Sequence, residues 1–165
     1  MSQRSKNRVE EPSTINLEEK GFQLDSTALA ILHTKENRAF LEFLLLEYTV
    51  YVSILSVYEY ASSVYFHQRV DVNKVVSNLS KIYHVLGVDN DVIVKAALLD
   101  GELSRRRIFL NQIDLLVAAT AMTHNLTLVT VDPRLYNGLP SYGLNLVSTE
   151  ELTEALSKKL EKLKP

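Results

Sequence analysis

The sequence contains no cysteine. Disulfides and thiolate metal sites are therefore excluded, so a metal would have to be held by oxygen or imidazole. An excess of positive charge is also missing. The chain has 18 Lys and Arg against 20 Asp and Glu, a formal net charge of -2. A protein that grips nucleic acid through its overall field is usually more basic, so contact here would need a local patch or bound cations. Long hydrophobic runs are lacking too. The longest, such as residues 44–46, are far too short to span a membrane. The opening stretch MSQRSKNRVEEPST has no apolar run and no cleavage signal. The expectation is a soluble, cytoplasmic chain with no membrane partner. Internal repeats and low-complexity blocks are absent as well.

What is present suits one compact domain. The chain has 165 residues, 46% of them hydrophobic, enough for a sizeable core. Residues 1–20 are charged, mixed in sign and without period, and are expected to form a mobile arm. Residues 21–147 form the expected domain. Residues 148–165 read as a terminal helix: Ser148 or Thr149 caps it, and Glu150, Glu151 and Glu154 lie near its positive end. Leu152, Leu156, Leu160 and Leu163 make an apolar stripe that packs on the domain or on a partner, with the domain preferred.

Between the ends, short apolar strands alternate with helical patterns. Strands are expected at residues 22–24, 50–54, 85–88, 127–130 and 145–147. A helix opens at Ser26, and others are expected over residues 38–48, 55–68, 72–83, 92–106 and 112–124. This alternation argues for an α/β protein with a parallel sheet covered on both faces. Sites in such sheets form at the carboxyl edge of the strands.

Four acids stand out against that background. Asp25 closes the strand FQL and precedes a helix, so an N-cap role accounts for it equally well. Asp132 closes LVTV and precedes Pro133, where a turn residue is expected anyway. Two parallel strands that both finish in Asp are more telling than either alone. Glu59 lies in the largely apolar segment SILSVYEYASSV. Asp114 begins the apolar helix IDLLVAATAM, where the helix dipole also favours an acid. Clustered carboxylates repel one another unless a cation neutralises them. Oxygen-only donors suit one or two hard ions, Mg²⁺ or Mn²⁺, and such a site suits phosphodiester hydrolysis.

The segments LDSTALA, SILSVYEYASS and IDLLVAATAMTHNLTLVTVD resemble the signature of PIN domains, most closely that of VapC-type toxins. The resemblance runs from about residue 22 to residue 147 and is thin over residues 37–48 and 71–100. It implies a three-layer α/β/α fold around a parallel sheet of four or five strands. It also implies a metal-dependent endoribonuclease, the toxin of a toxin–antitoxin pair, with RNA as substrate and a cognate antitoxin and a second copy as partners. The alternatives are an RNA-processing PIN nuclease outside a toxin pair, or a PIN fold that binds RNA or protein without cleaving. The resemblance places the catalytic and metal-binding acids at Asp25, Glu59, Asp114 and Asp132, with Glu102 in DGELSRRR as the nearest match to a further one. Two positions depart from the family pattern. Ala61-Ser62-Ser63 stands where Gly often follows the Glu, and Asn125 stands where Gly often precedes the TLVT strand.

Substrate contacts are expected of a few neighbours. Ser26 and Thr130 are candidates to orient an acid or a metal-bound water, and Arg105 and Arg134 to meet a phosphate. The run Arg105–Arg107 also reads as a solvated helix end. His33, His67, His84 and His124 show no metal-ligand spacing, and packing accounts for most of the tyrosines between residues 48 and 65.

Overall fold

A computed structural model describes residue 15 and residues 21–162. The expected arm over residues 1–20 lies outside the described residues except for residue 15, and so does Leu163. The strands are β1 (Phe22–Leu24), β2 (Val50–Ser53), β3 (His84–Leu86), β4 (Thr127–Thr130) and β5 (Leu146–Ser148). The helices are α1 (Ser26–Leu32), α2 (Arg38–Glu47), α3 (Ile54–Gln68), α4 (Val72–Ile82), α5 (Asn90–Arg105), α6 (Gln112–Thr123) and α7 (Thr149–Lys162). Two short 3-10 turns, Pro133–Tyr136 and Leu139–Tyr142, join β4 to β5.

The five strands make one parallel sheet in the order β3-β2-β1-β4-β5. Its faces follow from the period of two along each strand. Phe22, Leu24, Val50, Val52 and Val129 point into one core with Leu29, Leu44, Leu79, Leu152 and Leu156 from the helices. Leu128 points the other way, into a second core with Val92, Leu103, Leu115, Ala118 and Ala119. Helices thus cover both faces, the three-layer α/β/α arrangement. Gln23 also faces the second side, fully buried, and donates from Nε2 to the Val117 carbonyl of α6 at 2.8 Å.

Local chemistry explains most boundaries. Side chains of Asp25, Ser53, Asp71, Asp89 and Asn111 accept backbone N–H groups at the starts of α1, α3, α4, α5 and α6. Asn125 adopts a left-handed conformation, φ 53°, between α6 and β4. Gly21 precedes β1 with φ 145°, and a Cβ there would meet the Thr49 carbonyl oxygen and the Tyr51 ring at 2.9 Å each. Ile54 belongs to α3 rather than to the second strand, because the Ser53 hydroxyl already caps the helix at Leu55. The third strand lies one to two residues earlier than its apolar run suggests, at the sheet edge where alternation is weak.

The terminal helix begins inside the expected boundary. Ser148 ends β5, and its hydroxyl accepts from Glu151 N at 3.1 Å while Glu151 accepts from Ser148 N at 2.8 Å. This reciprocal capping box joins strand to helix with no linker. Leu152 and Leu156 are completely buried, whereas Leu160 is partly exposed, because the stripe runs past the edge of the surface it covers. Among the described residues no helix is long and apolar enough to cross a membrane.

Candidate active site

The chain passes from β1 to β2 and β3 on one side, then crosses to β4 and β5 on the other. The strand order therefore reverses at β1 and β4, and a crevice opens at their carboxyl ends. Leu24 pairs in register with Val52 and Val129, so Asp25 stands just past β1, level with the last residues of β2 and β4, Ser53 and Thr130.

Asp25 is 3% exposed and accepts three hydrogen bonds from its neighbours. Its Oδ1 accepts from Ala28 N at 2.8 Å and from the Thr27 hydroxyl at 2.7 Å. Its Oδ2 accepts from the Tyr136 hydroxyl at 2.9 Å. The N-cap role is thus real, yet it uses only part of one oxygen. Thr27 and Thr130 hydroxyls lie 3.3 Å apart, and Thr27 also accepts from Val131 N at 3.1 Å. Since the Thr27 proton goes to Asp25, Thr130 is the donor in that contact. The two threonines therefore tie the start of α1 to the end of β4.

Glu59 reaches the same place from α3. Its Oε2 accepts from the Ser26 hydroxyl at 2.8 Å. Asp114 comes from the first turn of α6, whose N-cap Asn111 accepts from Ile113 N and Asp114 N. Burial, then the charge of Glu59, then that of Asp25 push its carboxyl up to about 6. Burial and the charges of Asp25, Asp114 and Glu59 likewise push the Tyr136 phenol far above its ordinary range. Asp25, Glu59 and Asp114 therefore share one electrostatic neighbourhood around Tyr136.

The other expected charged residues take partners of their own. Asp132 caps the turn after β4 and takes a two-pronged contact from Arg134, with N···O distances of 2.8, 3.1 and 2.7 Å. The Arg134 guanidinium holds its carboxyl below the usual range, and Asp132 is not among the charges acting on Asp114. Glu102 is exposed and pairs with Arg105 at 2.7 Å. Arg106 lies over the Tyr142 ring, 4.9 Å from its centroid. His33 bonds the Tyr83 hydroxyl at 2.8 Å, away from the acids. Thr27, Asn111 and Tyr136 were not legible as site residues. Pro133 in the turn after Asp132 was the only hint that the chain folds back to bring residue 136 under Asp25.

The donor set bears on a metal in two ways. Asp25, Glu59 and Asp114 offer hard oxygens only, and the repulsion felt by Asp114 is what a divalent cation would relieve. With the side chains as they stand, no group of three acids or imidazoles among the described residues converges on a single ion position. The chemistry of the donor set nonetheless fits a hard cation. A depression of about 480 Å³ opens beside Glu59, lined by Tyr58, Ser62, Phe66, His67 and Ile113 among others.

Relatives agree with this architecture. A VapC ribonuclease of Pyrococcus furiosus is 28% identical over 139 residues, 84% of this chain and 92% of that protein. The VapBC2 structure from Rickettsia felis, bound to a DNA fragment from their promoter, aligns with TM-score 0.66 at 19% identity, covering 77% of this chain and 97% of that one. DNA-bound VapBC from Salmonella typhimurium aligns with TM-score 0.63 at 16% identity, covering 78% and 97%. The sequence model of the PIN domain matches residues 24–138, a span that holds Asp25, Glu59, Glu102, Asp114, Asp132 and Tyr136. With that span well over half of the chain, this protein belongs to the PIN domain family.

Proposed function

We propose that the chain is a divalent-metal-dependent endoribonuclease, the toxin of a toxin–antitoxin pair. The observation that carries the reading is the meeting of Asp25, Glu59 and Asp114 at the strand-order reversal, where the charges of Glu59 and Asp25 both raise the cost of ionising Asp114. Kinship with a VapC ribonuclease supports the reaction class and an RNA substrate, and the likeness to VapBC assemblies supports a cognate antitoxin. A second copy of the chain is the further partner.

Asp25, Glu59 and Asp114 would hold Mg²⁺ or Mn²⁺, and Asp132 would join them once released from Arg134. When bound, the ion supplies a water of lowered pKa and a counter-charge for phosphate oxygens. The protein's own groups do the rest. Ser26 holds Glu59, while Thr27 and Thr130 tie the start of α1 to the end of β4. Arg134 is highly exposed beside Asp132, so its guanidinium can exchange that carboxylate for a phosphodiester oxygen. Tyr58 and Phe66, 62% and 73% exposed, border the depression next to Glu59 and offer ring faces to unpaired bases.

The test is to incubate the purified chain with mixed RNAs in Mg²⁺, Mn²⁺ or EDTA, beside Asp25→Asn. Internal cleavage that needs the metal and the carboxylate supports the nuclease. Suppression of cleavage by the product of an adjacent reading frame supports the toxin assignment, and metal-independent or absent cleavage opposes the reading.

A further inference from the structure

We infer that Tyr136 is a positioning residue whose hydroxyl fixes the Asp25 carboxylate so that a single free lone pair, on Oδ2, faces the divalent cation of the proposed site. The inference rests on the cation-site reading above and assigns a role to a residue outside the acid set. An ionised carboxylate offers about four lone-pair positions, two on each oxygen. Both positions on Oδ1 are taken, by Ala28 N at 2.8 Å and the Thr27 hydroxyl at 2.7 Å. One position on Oδ2 is taken by the Tyr136 hydroxyl at 2.9 Å. A single lone pair remains, on Oδ2. Asp25 cannot chelate an ion with both oxygens unless it gives up one of the two bonds on Oδ1, the Ala28 bond that caps α1 or the Thr27 hydroxyl bond.

Tyr136 is built to keep that arrangement. Its ring is completely buried in the core beneath α6, with Leu103, Leu115 and Ala118 in the same cluster, so it cannot swing aside. The turn Pro133–Tyr136 begins at Asp132, and Leu135 N bonds the Asp132 carbonyl at 3.1 Å. The phenol therefore also links the acid after β1 to the turn after β4, across 111 residues of chain. Outer partners of this kind orient a ligating carboxylate, and their loss typically weakens metal binding by about 10- to 100-fold.

The experiment titrates the full-length chain with Mn²⁺ alone, without RNA, by calorimetry. Tyr136→Phe keeps the ring and removes the hydroxyl. Tyr83→Phe is the control, since Tyr83 is also buried but bonds His33 instead. The expected result is Mn²⁺ affinity about 10-fold or more weaker in Tyr136→Phe and unchanged in Tyr83→Phe. Should Tyr136→Phe fail to fold, Thr27→Val and Thr27→Ser test the same clamp from Oδ1, with weakening expected only in the first. Wild-type affinity in Tyr136→Phe, or in Thr27→Val where that arm decides, overturns the proposal while leaving the cation site standing. Equal weakening in Tyr83→Phe also overturns it. A wild-type chain that takes up no Mn²⁺ defeats the cation site itself and this proposal with it.

Discussion

The Ser26 hydroxyl donates to Glu59 Oε2 at 2.8 Å, joining the helix that follows β1 to the helix that follows β2. Glu59 is only half-buried, and without this contact its side chain would sample several rotamers. Ser26→Ala is therefore expected to lower single-turnover RNA cleavage by about 10-fold, the low end for loss of an outer partner. Stability should fall by only about 1 kcal/mol, since one partly buried hydrogen bond is lost. Unchanged cleavage would show that Glu59 is oriented by something else.

Asp114 titrates in an unusual direction. Its folded-state carboxyl is pushed up to about 6 from 3.8, so the folded chain holds a proton that the unfolded chain has released. Metal-free stability should accordingly fall as pH rises from about 4 to about 6, then level off. Asp114 is partly exposed, and with solvent screening the effect is about 1 kcal/mol. In Asp114→Asn that slope should flatten. Its melting midpoint at pH 7.5 should nearly match the wild type, because relieved repulsion offsets a lost helix-dipole contribution of about 0.3–1 kcal/mol. A large drop would mean that Asp114 mainly starts α6.

The carboxyl-edge position of Asp25 was legible because it follows an apolar strand and parallel strands align their ends. β4 was plain from Thr127, Val129 and Thr130, whose β-branched side chains favour a strand. What could not be read was contact made by chain reversal. Tyr136 looks like any core tyrosine until the Pro133 turn returns it to Asp25, and nothing local announces a bond spanning 111 residues. Asp132 shows the converse. Its position was plain, but its pairing with Arg134 depends on a backbone conformation that sequence spacing does not specify.

The terminal helix belongs to the core of its own domain. Leu152 and Leu156 are fully buried with Leu24 and Leu44, and Lys159 Nζ reaches the Tyr48 hydroxyl at 3.0 Å. Leu156→Ala should cost about 2–5 kcal/mol, measured by urea unfolding. Deleting residues 148–165 should yield insoluble or unfolded chain. A soluble, cooperatively folding truncation that has merely lost a partner would contradict this.

Apolar surface remains on α3 and α4. Ile54, Tyr65 and Val72 are 43%, 44% and 38% exposed around a depression of about 430 Å³ that is chiefly apolar. A second copy covering this face is the expected arrangement. Sedimentation should give a dimer at micromolar concentration, and Tyr65→Glu should shift it to monomer. A wild-type monomer at high concentration would refute it.

The most direct test of the central claim is the rate of RNA cleavage as a function of Mn²⁺ concentration, for the wild type and for Asp25→Asn, Glu59→Gln and Asp114→Asn. The account predicts saturable activation of the wild type, abolished by EDTA. It also predicts at least a 100-fold loss in each variant, with folding retained, as expected when a group acting on the transition state is removed. Cleavage that persists in EDTA, or that survives the loss of all three carboxylates one at a time, would contradict it.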